Sequence, residues 1–212
     1  MIEHAFGQSP ASSLGIEEEL FVVDALTYEP APFPTDGFDG VHVKPELFTT
    51  VVELATRICL SPADAAHELA SLRRRAQEVA GGAGLAVAGS GTWPLACSSE
   101  QPVTPDDGYR RFVDYAGPTA RRQYCSGLHV HVGVESPERC FAALEAVLPW
   151  LPVLLAVSAS SPYLDGRETG MASMRAELLG LLPRSGAPPV FGSYAAWERF
   201  AERLLALGII DS

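Results

Sequence analysis

The sequence predicts an α+β fold, a largely antiparallel sheet with helices packed on it. Three observations lead there. Two segments, 14–23 and 126–134, alternate in the manner of strands. Capping signals at Ser61-Pro62-Ala63-Asp64, Thr104-Pro105-Asp106-Asp107, Ser136-Pro137-Glu138 and Ser193 each open an amphipathic or apolar run. The resulting order is strand, strand, helix, strand, helices, strand, helices, with no internal repeat or linker. The chain has 212 residues, 47% of them hydrophobic, enough to bury one core, and residues 1–212 are expected to form a single domain.

The elements follow in order. Leu14-Gly-Ile-Glu-Glu-Glu-Leu-Phe-Val-Val23 is a strand, with Glu17 and Glu19 on one face and Glu18 on the other. Residues 26–40, rich in Pro, Gly and Asp, form a loop. Residues 47–58 are rich in β-branched side chains and predict a second strand. The helix opened by Ser61 runs to Gly81-Gly82, and Arg73-Arg74-Arg75 is expected on its solvated face. Leu85–Ser90 is a third strand. A helix starts near Thr104. Ser126–Val134 is the fourth strand, placing His129 and His131 on one face and Leu128, Val130 and Val132 on the other, toward a core. Ser136 opens a helix through about Val157. Within it the run Val147–Val157, interrupted by Pro149 and Pro152, is too short to span a bilayer and predicts a buried, bent core helix. A Ser/Pro/Gly loop at 158–170 and a final helix with Trp197, Phe200, Leu204 and Leu207 on one stripe complete the chain.

The formal charge of −11 excludes nucleic acid and anionic membrane as expected partners, because both attract basic surface. Cys59, Cys97, Cys125 and Cys140 form no C-x-x-C pair, so a structural zinc site is not expected and a reducing cytoplasm is. The N-terminus Met-Ile-Glu-His-Ala-Phe lacks a basic segment followed by an apolar one, so no signal peptide is expected.

Chemistry concentrates on three strands. Adjacent carboxylates at Glu17 and Glu19 repel each other unless a hard divalent cation reverses the sign. Solvated carboxylates on an edge strand are the ordinary alternative. Glu53, a lone acid in Val51-Val52-Glu53-Leu54-Ala55, is either a ligand or half of a salt bridge to Arg57. Glu46 reaches the same cavity only if the chain bends between them, and is the weaker candidate. The His129-x-His131 pair suits a metal or a phosphate. Three chemistries use this spacing: cupins, for which Glu135 would be the following acid; amidohydrolase barrels, for which only His4, His42 and His67 remain as further histidines; and ATP-dependent ligation, in which acids from several strands hold Mg²⁺ against phosphates.

Gly15-Ile-Glu-Glu-Glu-Leu20, Val52-Glu-Leu-Ala-Thr56, Gly127-Leu-His-Val-His-Val-Gly-Val134, Pro149–Ala156, Ser158-Ala-Ser-Ser-Pro162 and Thr169–Arg175 together resemble the type 2 glutamate–cysteine ligases, or carboxylate–amine ligases, in the same order across nearly the whole chain. The resemblance implies a glutamine-synthetase-like antiparallel sheet holding ATP and Mg²⁺ or Mn²⁺. It implies attack of an amino-acid carboxylate on the γ-phosphate and capture of the acyl phosphate by an amine. It places Glu17, Glu19, Glu53 and His129 on the metal, His131 on a phosphate and Arg175 on a substrate carboxylate, with no nucleophilic side chain. Small amino-acid and amine substrates are the implied partners, with a homo-oligomer an open possibility. Family members continue into a strand with a Val-Glu-Val-Arg-like motif that this chain does not contain. The sequence therefore predicts a C-terminally truncated fold, weakly active alone and prone to associate. A metal-dependent hydrolase or cupin-like enzyme, and an inactive nucleotide-binding fragment, are the competing expectations.

Overall fold

In the computed structural model, which describes residues 5–183 and 185–210, β1 (Leu14–Asp24) is the strand on which everything else is hung. Along one edge it pairs antiparallel with β3 (Val51–Ala55), which in turn pairs with β2 (Val43–Pro45). Along the other edge it pairs with β5 (Leu128–Val132) over its first half and with β4 (Leu85–Ala88) over its second. Every pairing in this sheet is antiparallel, as the sequence predicts. The sequence-predicted strand at 47–58 is shorter, because Leu47–Thr50 form the turn that reverses the chain between β2 and β3. His4, Asp211 and Ser212 lie outside the described residues.

The even-numbered face of β1 is covered by α1 (Pro62–Gly82). Ser61 caps this helix by accepting a hydrogen bond from the Asp64 N–H at 3.1 Å, and Pro62 occupies the first turn. Ala65, Leu69, Leu72, Ala76 and Ala80 recur at helical spacing and are buried against Ile16, Leu20, Val22, Val52 and Leu54. Glu18 points into this layer. The Arg73 guanidinium grips it from both prongs, with Nε 2.6 Å from Oε2, and Arg75 reaches Asp39 at 2.7 Å. All three arginines of the triplet are exposed, as expected of a solvated face, and Arg73 and Arg75 are in addition ion-paired. The ion pair also explains how three consecutive glutamates are tolerated in a central strand: the middle one is neutralised from the opposite face.

On the odd-numbered face a second core forms around Phe21 and Tyr124, whose rings meet edge-on at 5.0 Å. Phe48 and Trp93 pack on the same pair. The Thr50 hydroxyl donates to the Tyr124 hydroxyl at 3.1 Å, which joins the β2–β3 turn to the segment leading into β5. α2 (Asp107–Ala116) begins later than the sequence suggests. Asp106, not Thr104, caps it, accepting from the Gly108 and Tyr109 N–H groups, while Thr104 donates its hydroxyl to the Glu46 carbonyl. α3 (Pro118–Arg121) follows and leads through Tyr124 to β5. The loop at 158–170 contains a small hairpin, β6 (Tyr163–Leu164) and β7 (Arg167–Glu168), before α6 (Met174–Gly180). α7 (Tyr194–Ala206) is capped by Ser193, as expected.

Two expectations about burial are overturned. Leu128, Val130 and Val132 do not enter a core: they are 59, 57 and 55% exposed, because α1 covers β3, β1 and β4 but does not extend across β5. The run Val147–Val157 is not a buried helix either. It continues α4 (Pro137–Val147) through a 3₁₀ turn at Leu148–Trp150 into α5 (Leu151–Ser158). That 22-residue segment is long and apolar enough to cross a membrane by length and composition, and only 6% of an apolar 18-residue stretch within it is buried. Pro149 falls in the 3₁₀ turn and Pro152 in the first turn of α5; the expected burial does not hold, and the run Val147–Val157 is part of a longer apolar segment.

The Glu19 N–H donates to the Gly127 carbonyl at 2.9 Å and the Gly133 N–H to the Ser13 carbonyl at 2.8 Å. The odd-numbered residues of β5 therefore bond to β1, and Leu128, Val130 and Val132 turn their backbone groups outward. Among the described residues no strand pairs with that edge. An unpaired edge bearing apolar side chains is a template for association. Sedimentation analysis is expected to show concentration-dependent self-association, weakened about tenfold or more by Val130→Lys, since an inserted charge on a strand edge opposes pairing. A wild-type chain that stays monomeric across the concentration range would contradict this.

Candidate functional site

The site is built on the odd-numbered face of β1. Residues directly opposite in an antiparallel pair share a face, so the register sets the constellation: Glu19 lies opposite Glu53, Glu53 opposite Lys44, and Glu17 opposite His129. The β2–β3 turn then brings Glu46 back over this row. One carboxylate oxygen from each of Glu19, Glu46 and Glu53 lies within 4.8 Å of the others. Three half-buried carboxylates at this separation form a hard-oxygen donor set of the kind divalent cations favour. Burial, reinforced by the neighbouring Glu46 charge, raises the Glu19 carboxyl above its usual range. The strain of like charges is thus present at the place where a cation would relieve it.

Glu17 stands one step along the row and is occupied differently. Its Oε2 is 3.0 Å from His131 Nε2 and 3.5 Å from His129 Nδ1. The hydrogen bond with His131 holds the Glu17 carboxyl below its usual value. His131 is therefore oriented by a carboxylate, and His129 lies between Glu17 and the three-carboxylate cluster. Glu53 is ion-paired, but with Lys44 at 2.6 Å rather than with Arg57. The expected partner fails because the strand ends at Ala55, after which Arg57 turns to Asp64 and Glu68 on α1.

Arg175, in the first turn of α6, closes the far side. The Ser161 hydroxyl accepts from its backbone N–H at 3.0 Å, and its buried Nε has no hydrogen-bond partner among the described residues. Gly127 makes the approach possible. A Cβ at that position would lie 2.6 Å from Arg175 Nη2 and 3.0 Å from His129 Nε2, so any larger residue would push the guanidinium and the imidazole away from Glu19.

Arg175 and Glu19 border two cavities. One, of 480 Å³, is walled by Glu46, Phe48, Tyr109, Phe112, Cys125 and His129. The other, of 620 Å³, is lined by small polar residues including Ser90, Gly91, Ser126, Ser160 and Ser173. Burial pushes the Cys125 thiol up to about 11, so at neutral pH it is protonated and a poor nucleophile.

A model of glutamate-cysteine ligase family 2 matches residues 13–212. The chain belongs to that family. It is 36% identical to a Rubrobacter xylanophilus protein named "Putative glutamate--cysteine ligase 2-3" over 99% of its own length and 60% of the relative's. It is 36% identical to a Bradyrhizobium protein named "Putative glutamate--cysteine ligase 2" over 93% of its own length and 50% of the relative's. The chain thus spans about half to three-fifths of the curated relatives it matches. A bifunctional glutathione synthetase from Pasteurella multocida shares its fold, with a TM-score of 0.65 at 16% identity, over 95% of this chain and 31% of that one. This likeness supports the α+β, antiparallel-sheet expectation.

Within this family member the residues nominated on the strands lie on one face and along one row, and Arg175 meets them from α6. They divide into two groups: Glu19 and Glu53 in the carboxylate cluster, and Glu17 with His131 in a hydrogen-bonded pair, His129 standing between them. Glu46 replaces Glu17 as the third member of the cluster. The condition for it, a chain reversal before Glu53, is met by the β2–β3 turn. Lys44 was not foreseen at all. Its signal was available, since it is the sequence's single lysine. Glu135 lies exposed in the turn after β5 and joins neither group.

Proposed function

We propose that residues 1–212 belong to one catalytic domain and form the metal- and nucleotide-holding part of an ATP-dependent carboxylate–amine ligase of the glutamate–cysteine ligase type. The observation that carries this reading is the Glu19, Glu46 and Glu53 cluster beside Arg175. The three carboxylates would hold Mg²⁺ or Mn²⁺, with His129 completing or flanking the shell. When bound, such a cation supplies the charge neutralisation that phosphoryl transfer demands. His131, oriented by Glu17, would approach a phosphate oxygen. Arg175, whose Nε has no partner among the described residues and whose fork is planar, suits the carboxylate of an amino-acid substrate. In this reading a carboxylate nucleophile and a phosphoryl donor would lie next to each other along the row, the arrangement acyl-phosphate formation requires. The amine would then enter from one of the two cavities that meet at Arg175. A cytoplasmic location and small-molecule partners accompany this reading.

The hydrolase and cupin-like alternatives find less support. Both would need the two histidines converging on one ion, whereas His131 is turned to Glu17 and the acids gather separately.

Calorimetry tests the proposal directly. Folded chain is expected to bind ATP in the presence of Mg²⁺ and to lose that binding on adding EDTA. Metal-independent ATP binding, no ATP binding by well-folded chain, or tight Zn²⁺ binding with zinc-dependent hydrolysis would reject it.

A further inference from the structure

Lys44 stands where a cation is expected. All the chain's other Lys/Arg-type cations are arginines. β2 sets Lys44 opposite Glu53, its Nζ lies 2.6 Å from Glu53 Oε1, and Glu17 and Glu46 are its further charged neighbours. The ammonium thus covers an oxygen of the very carboxylate that completes the three-acid cluster. Lys44 and, beside Glu19, Arg175 are two positive charges among four carboxylates, which leaves the row negative, so the site is plugged without being satisfied. The plug is also free to leave: the Lys44 side chain is 35% exposed, against 15% for Glu53. A lysine suits that task better than an arginine. Its charge is compact and readily hydrated on a flexible stem, whereas a guanidinium fork would lock two carboxylate oxygens at once.

We propose that Lys44 is a displaceable counter-ion. It compensates the carboxylate cluster when no metal is present, competes with the divalent cation for Glu53, and moves onto the polyphosphate when metal and nucleotide arrive together. Metal entry is thereby coupled to nucleotide, and the site is guarded against taking up a cation alone. The proposal rests on the metal–nucleotide reading above. It differs from a permanent structural ion pair, which metal and nucleotide would leave untouched.

Mn²⁺ binding followed by electron paramagnetic resonance tests it, on wild type, Lys44→Gln and Lys44→Arg, each with and without a non-hydrolysable ATP analogue. Removing a positive charge within a few ångströms of the cation should tighten nucleotide-free Mn²⁺ binding by about tenfold in Lys44→Gln. The analogue should enhance Mn²⁺ binding strongly in wild type and much less in the variant. Lys44→Arg, which keeps the charge, should show no tightening. Unchanged or weaker Mn²⁺ binding by Lys44→Gln would overturn the role of Lys44 while leaving the cation site standing. Absence of Mn²⁺ binding from both folded proteins would overturn the cation site and this proposal with it. A second measurement covers a variant that fails to fold. Lysine-selective ¹⁵N labelling of wild type gives one side-chain signal, which should shift on adding Mg²⁺ and again on adding the analogue. A signal indifferent to both would mark a permanent pair and reject the proposal.

Discussion

Replacing Glu19 and Glu46 together with glutamine is expected to weaken divalent-cation binding, and with it Mg-ATP binding, by a factor of 100 or more, an estimate of about two lost charge-assisted contacts at roughly 1.5–3 kcal/mol each. The two residues supply two of the three oxygens that converge within 4.8 Å. The double change should also separate affinity from stability. Glu19 has a carboxyl raised above its unfolded value, so its ionised form is disfavoured by the fold at neutral pH. Its contribution therefore grows more unfavourable as pH rises through the window above the normal glutamate value of 4.5. A neutral isostere removes that burden. The metal-free variant should melt no lower than wild type, and higher if repulsion with Glu46 dominates, while its response to Mn²⁺ disappears. Mn²⁺ titration and thermal melts on the same samples check both halves. A variant whose Mn²⁺ affinity stays within threefold of wild type would show that these carboxylates are not the ligand set.

Phe21→Ala is expected to cost about 3–5 kcal/mol of folding stability, the range for truncating a fully buried aromatic ring. Phe21 is wholly buried, and its ring meets Tyr124 edge-on at 5.0 Å and Trp93 at a tilt at 5.7 Å. For a chain of this length that corresponds to a fall in Tm of roughly 10 °C. The effect should reach the site. Phe21 lies two residues beyond Glu19 on the same face of β1, and Tyr124 lies just upstream of Gly127 and His129. Phe21 also lies opposite Val51 of β3, so loosening this core loosens the β1–β3 register that sets the cluster, and Mn²⁺ affinity should fall as well. Chemical denaturation together with Mn²⁺ titration is the check. A loss below about 1 kcal/mol would mean the second core is not what holds β1 and β5 in place.

Much of this architecture was legible in the chain. β1 reads as a strand because Ile16, Leu20 and Val22 alternate with Glu17, Glu19 and Phe21. α1 is bounded at one end by Ser61-Pro62 and at the other by Gly81-Gly82, both local signals of backbone geometry. The pairing of His129 with His131 on one face follows from a two-residue period alone. Glu46 was legible only conditionally, since its place depends on how tightly Leu47–Thr50 turn. The Lys44–Glu53 pair is a matter of register between two strands, and nothing within either strand states it. The same holds for Arg73, whose surroundings along the helix are polar while its partner, Glu18, lies 55 residues away.

The sequence by itself determined which side chains share a strand face, where helices begin and end, and that acids and histidines would lie in rows. Those properties depend on backbone periods and on hydrogen bonds spanning a few residues. Only the tertiary structure decided which faces are covered and which charges meet. The apolar residues of β5 and of the α4–α5 segment look identical in sequence to core residues, yet they stand open, because burial depends on what is laid across them. Glu53 could have met Arg57, four residues away, but met Lys44, because strand register brings charges together at distances that sequence separation does not encode.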